Sequence, residues 1–246
     1  MERSQLRLLA KSYIRFISAY SLRKNLAKWV LNKRVKNKQF TIISNNCWGA
    51  PIYTELGLPY MTPFVGLYVN APCYLKLLKN LKPYLESPLV FTETSRYEVY
   101  NEKKKAGEWS YPIGLLKEDV EIHFIHYSSP LEALEKWNRR LKRVKWDNLF
   151  IKFCDTQPFS ENFLLDFDQL PFRNKVCFTA KNYPDIKSTV WIKECNDSSS
   201  VVTGFKLYWT CKRYFDIADW LNGENNDILP INRLLNEFLY TPFFIQ

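Results

Sequence analysis

The stretch from Val120 to Thr179 limits the possible folds of this chain more than any other part of it. It runs as VEIHFIHY, a helix start at Ser128-Ser129-Pro130, a helical pattern from Leu131 to about Arg143, the apolar run LFIKF, a second helical pattern from Ser160 to Leu170, and KVCFT. Strand and helix signals alternate with short links, which is the pattern of a parallel sheet with right-handed crossovers. The expected fold is therefore α/β: a three-layer, mostly parallel sheet with flanking helices over residues 39–246, preceded by a basic N-terminal helical arm over residues 1–38. Upstream, Phe40 to Ile43 reads as a buried strand and Phe64 to Val69 as a short one. A helix begins at Asn70-Ala71-Pro72 and runs through Leu75, Leu78 and Leu81. Leu89 to Tyr100 reads as β-like, Asn101 to Trp109 as a charged loop or hairpin, and Val201 to Trp209 as β. Tyr214 to Leu221 reads as a last helix stopped by Asn222-Gly223.

The charge is confined to one end. Residues 1–38 carry eleven Lys and Arg and one acid, Glu2, whereas the other 24 basic and 24 acidic side chains cancel. The whole net charge of +10 thus belongs to the arm. Arg3, Arg7, Lys11 and Arg15 recur every four residues and form one helical stripe, with Leu6, Leu9, Tyr13, Phe16, Ile17 and Tyr20 on a neighbouring face. Leu26, Trp29 and Val30 continue the pattern. A basic amphipathic helix with aromatics fits an anionic membrane surface. Nucleic acid is a weaker partner, because the neutral body has no matching binding signature; a helix packed on its own domain with a solvated basic face is the plain alternative. Basic residues from position 3 argue against a cleavable signal peptide, and no apolar run reaches the length of a membrane span. The six Cys contain no CxxC pair and read as thiols of a reducing compartment. The expected location is cytoplasmic, peripheral at the inner face of the plasma membrane.

The candidate site follows from the fold. Ligands of parallel α/β sheets sit at the carboxyl ends of the strands. The first strand ends in Ser44-Asn45-Asn46-Cys47-Trp48-Gly49 before Pro51 opens a helix. The neutral amides of Asn45 and Asn46 suit hydroxyl-rich ligands, although a tight turn uses the same residue types. Other strand ends supply Tyr127 and Ser128, Asp155 and Thr156, and Lys181 and Asn182. Asp155 is the best-placed acid, with helix capping as its plain alternative, and His126 is nearer a strand end than His123 and suited to general-base work. The two His point to opposite faces of a strand and do not share a metal. Asp166-Phe167-Asp168 matches a cation-binding DxD pattern, but within a helix its carboxylates diverge. No nucleotide-binding glycine motif and no nucleophile elbow is present, and no metal site or cofactor is expected.

Four blocks then point to a family: ISNNCWGAPIYTELGLPYMTPFVGLYVN, YLKLLKNLKPYL, EIHFIHYSSPLEALEKWNRRLKRVKWDNLFIKF and LPFRNKVCFTAK. In this order, over about residues 38 to 222, they resemble a bacterial domain of unknown function, number 1919, whose members are often labelled exopolysaccharide biosynthesis proteins. The matching positions include Ser44, Asn45, Asn46, Trp48, Gly49, Gly57, His126, Trp137, Arg140 and Asp155. Ala50 departs from the common motif, which has a second glycine there. The resemblance implies an α/β fold and a place in capsule or exopolysaccharide assembly, and brings no established catalytic residue. The expected activity is a transferase acting on a lipid-linked glycan, a glycosyltransferase first. Asp155 or His126 would be the base, and Ser44, Asn45, Asn46, Trp48, Gly49 and Lys181 would bind substrate, with a nucleotide sugar as donor. Transfer of an acyl or phosphate-bearing substituent is a variant; a non-catalytic glycan-binding or scaffold protein is the alternative from another class.

Overall fold

The computed structural model describes residues 21–155, 159–196, 198, 200–201, 205–224 and 229–240. Four parallel strands form the main sheet: β1 (Thr41–Ser44), β5 (Leu149–Cys154), β6 (Asn174–Thr179) and β7 (Thr189–Trp191), side by side in that order. A second sheet of three antiparallel strands, β2 (Leu89–Thr92), β3 (Ile113–Leu116) and β4 (Val120–His123), is inserted between β1 and β5. The helices are α1 over residues 21–34, α2 (Ala50–Leu56), α3 (Ala71–Lys79), α4 (Leu81–Leu85), α5 (Glu98–Lys105), α6 (Pro130–Leu141), α7 (Glu161–Asp168), α8 (Phe205–Thr210), α9 (Ile217–Leu221) and α10 (Pro230–Tyr240).

The near-continuous apolar character of β1, β5 and β6 is what a parallel sheet buried on both faces requires. Alternate residues feed two clusters. Ile42, Phe150, Cys154, Val176 and Phe178 pack with Trp48, Tyr208 and Trp220, while Ile43, Ile151, Phe153 and Cys177 pack with Tyr74, Trp137 and Phe167. Ala27 and Leu31 of α1, with Val35 beyond it, are buried in the first cluster, and Arg34 bridges Asp216 and Asp219 at 2.9 and 2.8 Å. The Arg3, Arg7, Lys11 and Arg15 stripe lies outside the described residues. All six cysteines are free thiols.

Several expected elements differ. VEIHFIHY is a strand only to His123 and belongs to the antiparallel sheet, so the series from Val120 is not one run of parallel strands. The β3–β4 hairpin is closed by Lys117 and Glu118, both left-handed at φ 47° and 62°, without the Gly or Asn that normally announces such a turn. Phe64 to Val69 contributes a single bridge, Tyr68 to His123. The supposed charged loop is largely helix α5, ended by Gly107 at φ 73°. The second half of Val201–Trp209 is helix α8 rather than strand, and the helix expected from Tyr214 begins at Ile217, where the Asp216 carboxylate accepts the first free N–H groups.

Candidate functional site

The ends of β1 and β5 adjoin, with Ser44 in register with Lys152. Ser44, Asn45 and Asn46 are all buried. Asn46 acts as a local cap, its Oδ1 accepting from Trp48 N at 3.1 Å and starting the short 3-10 turn Cys47–Gly49. The same oxygen accepts from Lys152 Nζ at 3.0 Å, and Asn45 Oδ1 lies 3.4 Å from that ammonium. Asn46 Nδ2 donates to Cys154 Sγ at 3.3 Å. Lys152 is 0 % exposed, and among the described residues no carboxylate lies within ion-pairing distance of it. Its charge is held by two neutral amide oxygens, with the Trp48 ring 5.9 Å from Nζ.

Asp155 follows β5 and is buried. Its Oδ2 accepts from Ala180 N and its Oδ1 from Val201 N, both at 2.7 Å, so it ties the end of β6 to the Val201 segment. Burial pushes its carboxyl up; the two N–H groups and the nearby Lys152 charge pull the other way and only partly offset it. The half-buried Cys47 thiol, directed at Leu67 O, is likewise pushed up by burial against the pull of the Gly66 and Leu67 backbone and of Lys152.

While Asp155 is engaged with the Ala180 and Val201 N–H groups and feels the Lys152 charge, the structure brings Ser44, Asn45 and Asn46 to one buried polar centre around Lys152. Trp48 lies beneath it, fully buried against Phe178, Tyr208 and Trp220 at centroid distances of 5.3, 6.2 and 6.0 Å. Gly49 lets the turn sit on β1, for a Cβ there would lie 2.9 Å from Ile42 Cγ2. His126 and Lys181 stand apart as exposed residues. His126 is in the turn after β4, its N–H bonded to Gly66 O at 3.1 Å, and Lys181 follows β6, its carbonyl accepting from Thr179 Oγ1 at 2.8 Å. Lys152 and Cys154 join the centre without having been singled out in the sequence; the signal was a lysine inside an apolar strand, two residues before a cysteine on the same face.

The DxD carboxylates are engaged separately, Asp166 with Lys79 at 2.8 Å and Asp168 with Ser188 N at 3.0 Å. Among the described residues no group of three or more His, Cys, Asp or Glu is placed to hold a metal ion, and no helix is long and apolar enough to cross a membrane.

Comparison with known proteins agrees with the resemblance seen in the four blocks. Residues 18–222 match the family described as Domain of unknown function (DUF1919). An uncharacterized protein of Haemophilus influenzae is 41 % identical over 197 residues, covering 80 % of this chain and 89 % of that protein. The chain belongs to the DUF1919 family.

Proposed function

We propose that this member of the family is a transferase of surface-polysaccharide assembly, a glycosyltransferase that extends a lipid-linked glycan from a nucleotide-sugar donor. The observation that carries this reading is Lys152: a fully buried ammonium at the carboxyl ends of two adjacent parallel strands, held among the described residues by neutral oxygens. A buried charge costs several kcal/mol unless something compensates it, and the position is where α/β sheets bind ligands. An anionic group such as the donor's diphosphate fits that need, because the Coulomb attraction of a buried cation is strong in a low-dielectric setting. The amides of Asn45 and Asn46 supply hydrogen bonds to sugar hydroxyls. Asp155, its carboxyl raised by burial, or the exposed His126, takes the acceptor proton; Lys181 offsets leaving-group charge. The same reading takes the parallel sheet as the middle of three layers, supported by its two buried faces.

The membrane part of the proposal rests on the surface of α1 and α10. Leu22, Leu26 and Trp29 on one helix and Ile231, Leu234 and Phe238 on the other are exposed, and Arg23 lies 5.5 Å over the Phe238 ring. Apolar side chains on helices beside a basic segment are the makings of an interfacial anchor, peripheral at the inner face of the plasma membrane. Flotation with anionic vesicles tests it: equal binding by wild type and by a variant carrying Leu22→Ser, Trp29→Ser, Ile231→Ser and Phe238→Ser at these exposed positions sinks the anchor.

The transferase reading is tested by surface-glycan structure in a deletion strain complemented with Asn45→Ala, His126→Ala or Asp155→Ala. Loss of one glycan linkage is expected for Asn45→Ala and for at least one of the two base variants. Normal glycan from all three, where deletion abolishes it, leaves the scaffold reading in its place.

A further inference from the structure

The antiparallel sheet carries a second buried polar centre. Glu121 and His123 are two apart on β4 and so share a face; both are buried. Glu121 Oε1 lies 2.7 Å from His123 Nε2 and accepts from Ser95 Oγ at 2.5 Å, and its Oε2 accepts from Arg96 N at 2.8 Å. Burial pushes the Glu121 carboxyl up, but His123, Ser95 and Arg96 N together outweigh that and hold it below the usual carboxylate range. An ionised Glu121 accepts a hydrogen bond from Nε2–H, which in a neutral imidazole leaves Nδ1 as the acceptor, and the Tyr111 hydroxyl sits 3.2 Å from it.

Around this pair stand rings that are only half covered. The Tyr100 ring centroid is 4.3 Å from that of His123, Trp109 is 5.1 Å from Tyr100, and Tyr111 is 4.8 Å from Trp109. Tyr68, Tyr100, Trp109 and Tyr111 are each half-buried, and Tyr100 OH reaches Asn70 Oδ1 at 3.1 Å. Tyr111 also lines a cavity of about 270 Å³ together with Thr92, Glu93, Lys104, Ser110 and Ser128.

We infer that this aromatic cluster and its cavity form a saccharide-binding subsite. The lining sets the hydroxyls of Thr92, Ser110, Tyr111 and Ser128 beside the apolar Phe91 and Ile113, and its one lysine is already paired with Glu93 at 2.8 Å. A phosphate would meet the Glu93 carboxylate in the lining, and a purely apolar ligand would strand the hydroxyls and the Lys104–Glu93 pair. A sugar ring satisfies both kinds of surface, with its C–H face on the half-buried Tyr111 and Phe91 rings that line the cavity and its hydroxyls on Ser, Thr and Tyr. The volume suits one ring, at the small end of ligand cavities. Tyr68 exchanges backbone hydrogen bonds with His123, both at 2.8 Å, and Val69 N donates to Asn45 O at 2.9 Å, so one short segment joins this subsite to the centre at the end of β1. Saccharide binding here stands whether or not the chain is a transferase; that the bound sugar is the acceptor rests on the transferase reading.

The test uses the full chain on a microarray of bacterial glycans, followed by fluorescence titration with the best-bound oligosaccharide. Wild type is expected to retain at least one saccharide. Tyr111→Ala should weaken it about tenfold or more, as loss of a central aromatic contact does. Tyr111→Phe, which keeps the ring and removes the hydroxyl, should weaken it a few-fold, and circular dichroism of each variant should match wild type. Lys152→Met should bind the saccharide as wild type does while losing nucleotide-sugar affinity, which separates failure of the donor site from failure of this subsite. No glycan retained by wild type, or undiminished binding by Tyr111→Ala, overturns the inference.

Discussion

At the end of the parallel sheet a cation, Lys152, is buried among neutral oxygens; on the antiparallel sheet an anion, Glu121, is buried among a hydroxyl, a backbone N–H and an imidazole, with the Arg96 guanidinium 3.9 Å away. Glu121 is satisfied by the chain itself, and the depressed carboxyl is the mark of it. Lys152 has no carboxylate at ion-pair distance among the described residues, and the nearest acid whose titration it affects, Asp155, spends both oxygens on backbone N–H groups. A polar centre complete in itself contributes to the fold, whereas the proposed function takes the one left short of an anion as the place for a ligand.

The largest expected effect breaks or upholds that contrast. Glu121→Ala strands His123, Ser95 and Arg96 N and should destabilise by about 3 kcal/mol or more, a fall in Tm of roughly 10 °C. Lys152→Met removes a buried charge without stranding a partner charge and should leave Tm unchanged or higher. Equal losses in the two melts would erase the distinction between the centres. A smaller effect follows from pH. The folded Glu121 carboxyl is depressed, so its contribution is full above its unfolded pKa of about 4.3 and is lost as pH falls through the lower folded value. Thermal melts on the acid side should show wild type losing stability relative to Glu121→Gln below about pH 4, with parallel curves contradicting the assignment.

Gly49→Ala comes next. The new Cβ would strike Ile42 Cγ2 inside the core, and overpacking of this kind costs about 1–3 kcal/mol; urea denaturation reads it. The smallest effect is at the exposed His126 and Lys181, where alanine should change stability by no more than about 0.5 kcal/mol. Any loss of glycan product from either variant then reports chemistry rather than folding.

What the sequence disclosed follows from how local each signal was. LFIKF, KVCFT and the helices α6 and α7 carry their own periodicity and capping, and β5 and β6 pair in parallel as that spacing required. The β3–β4 hairpin was hidden because Lys117 and Glu118 take left-handed angles that their side chains do not advertise. Helix α5 was hidden because it buries none of its residues and so shows no apolar stripe. Among the site residues, Asn45, Asn46 and Asp155 stand where strand-end reasoning put them in the chain, and the structure adds the partners. Lys152 reaches Asn46 across 106 residues of sequence, and Glu121 finds Ser95 26 residues away; no local pattern encodes such pairings.

The measurement that bears most directly on the Lys152 centre is calorimetric titration of wild type and Lys152→Met with a panel of nucleotide sugars. Wild type should bind at least one of them, and Lys152→Met, with an unchanged melting temperature, should bind it at least about tenfold more weakly, since a charge-assisted contact contributes about 1.5–3 kcal/mol. Equal affinity in the two proteins, or no binding by wild type across the panel, contradicts a donor site at the ends of β1 and β5.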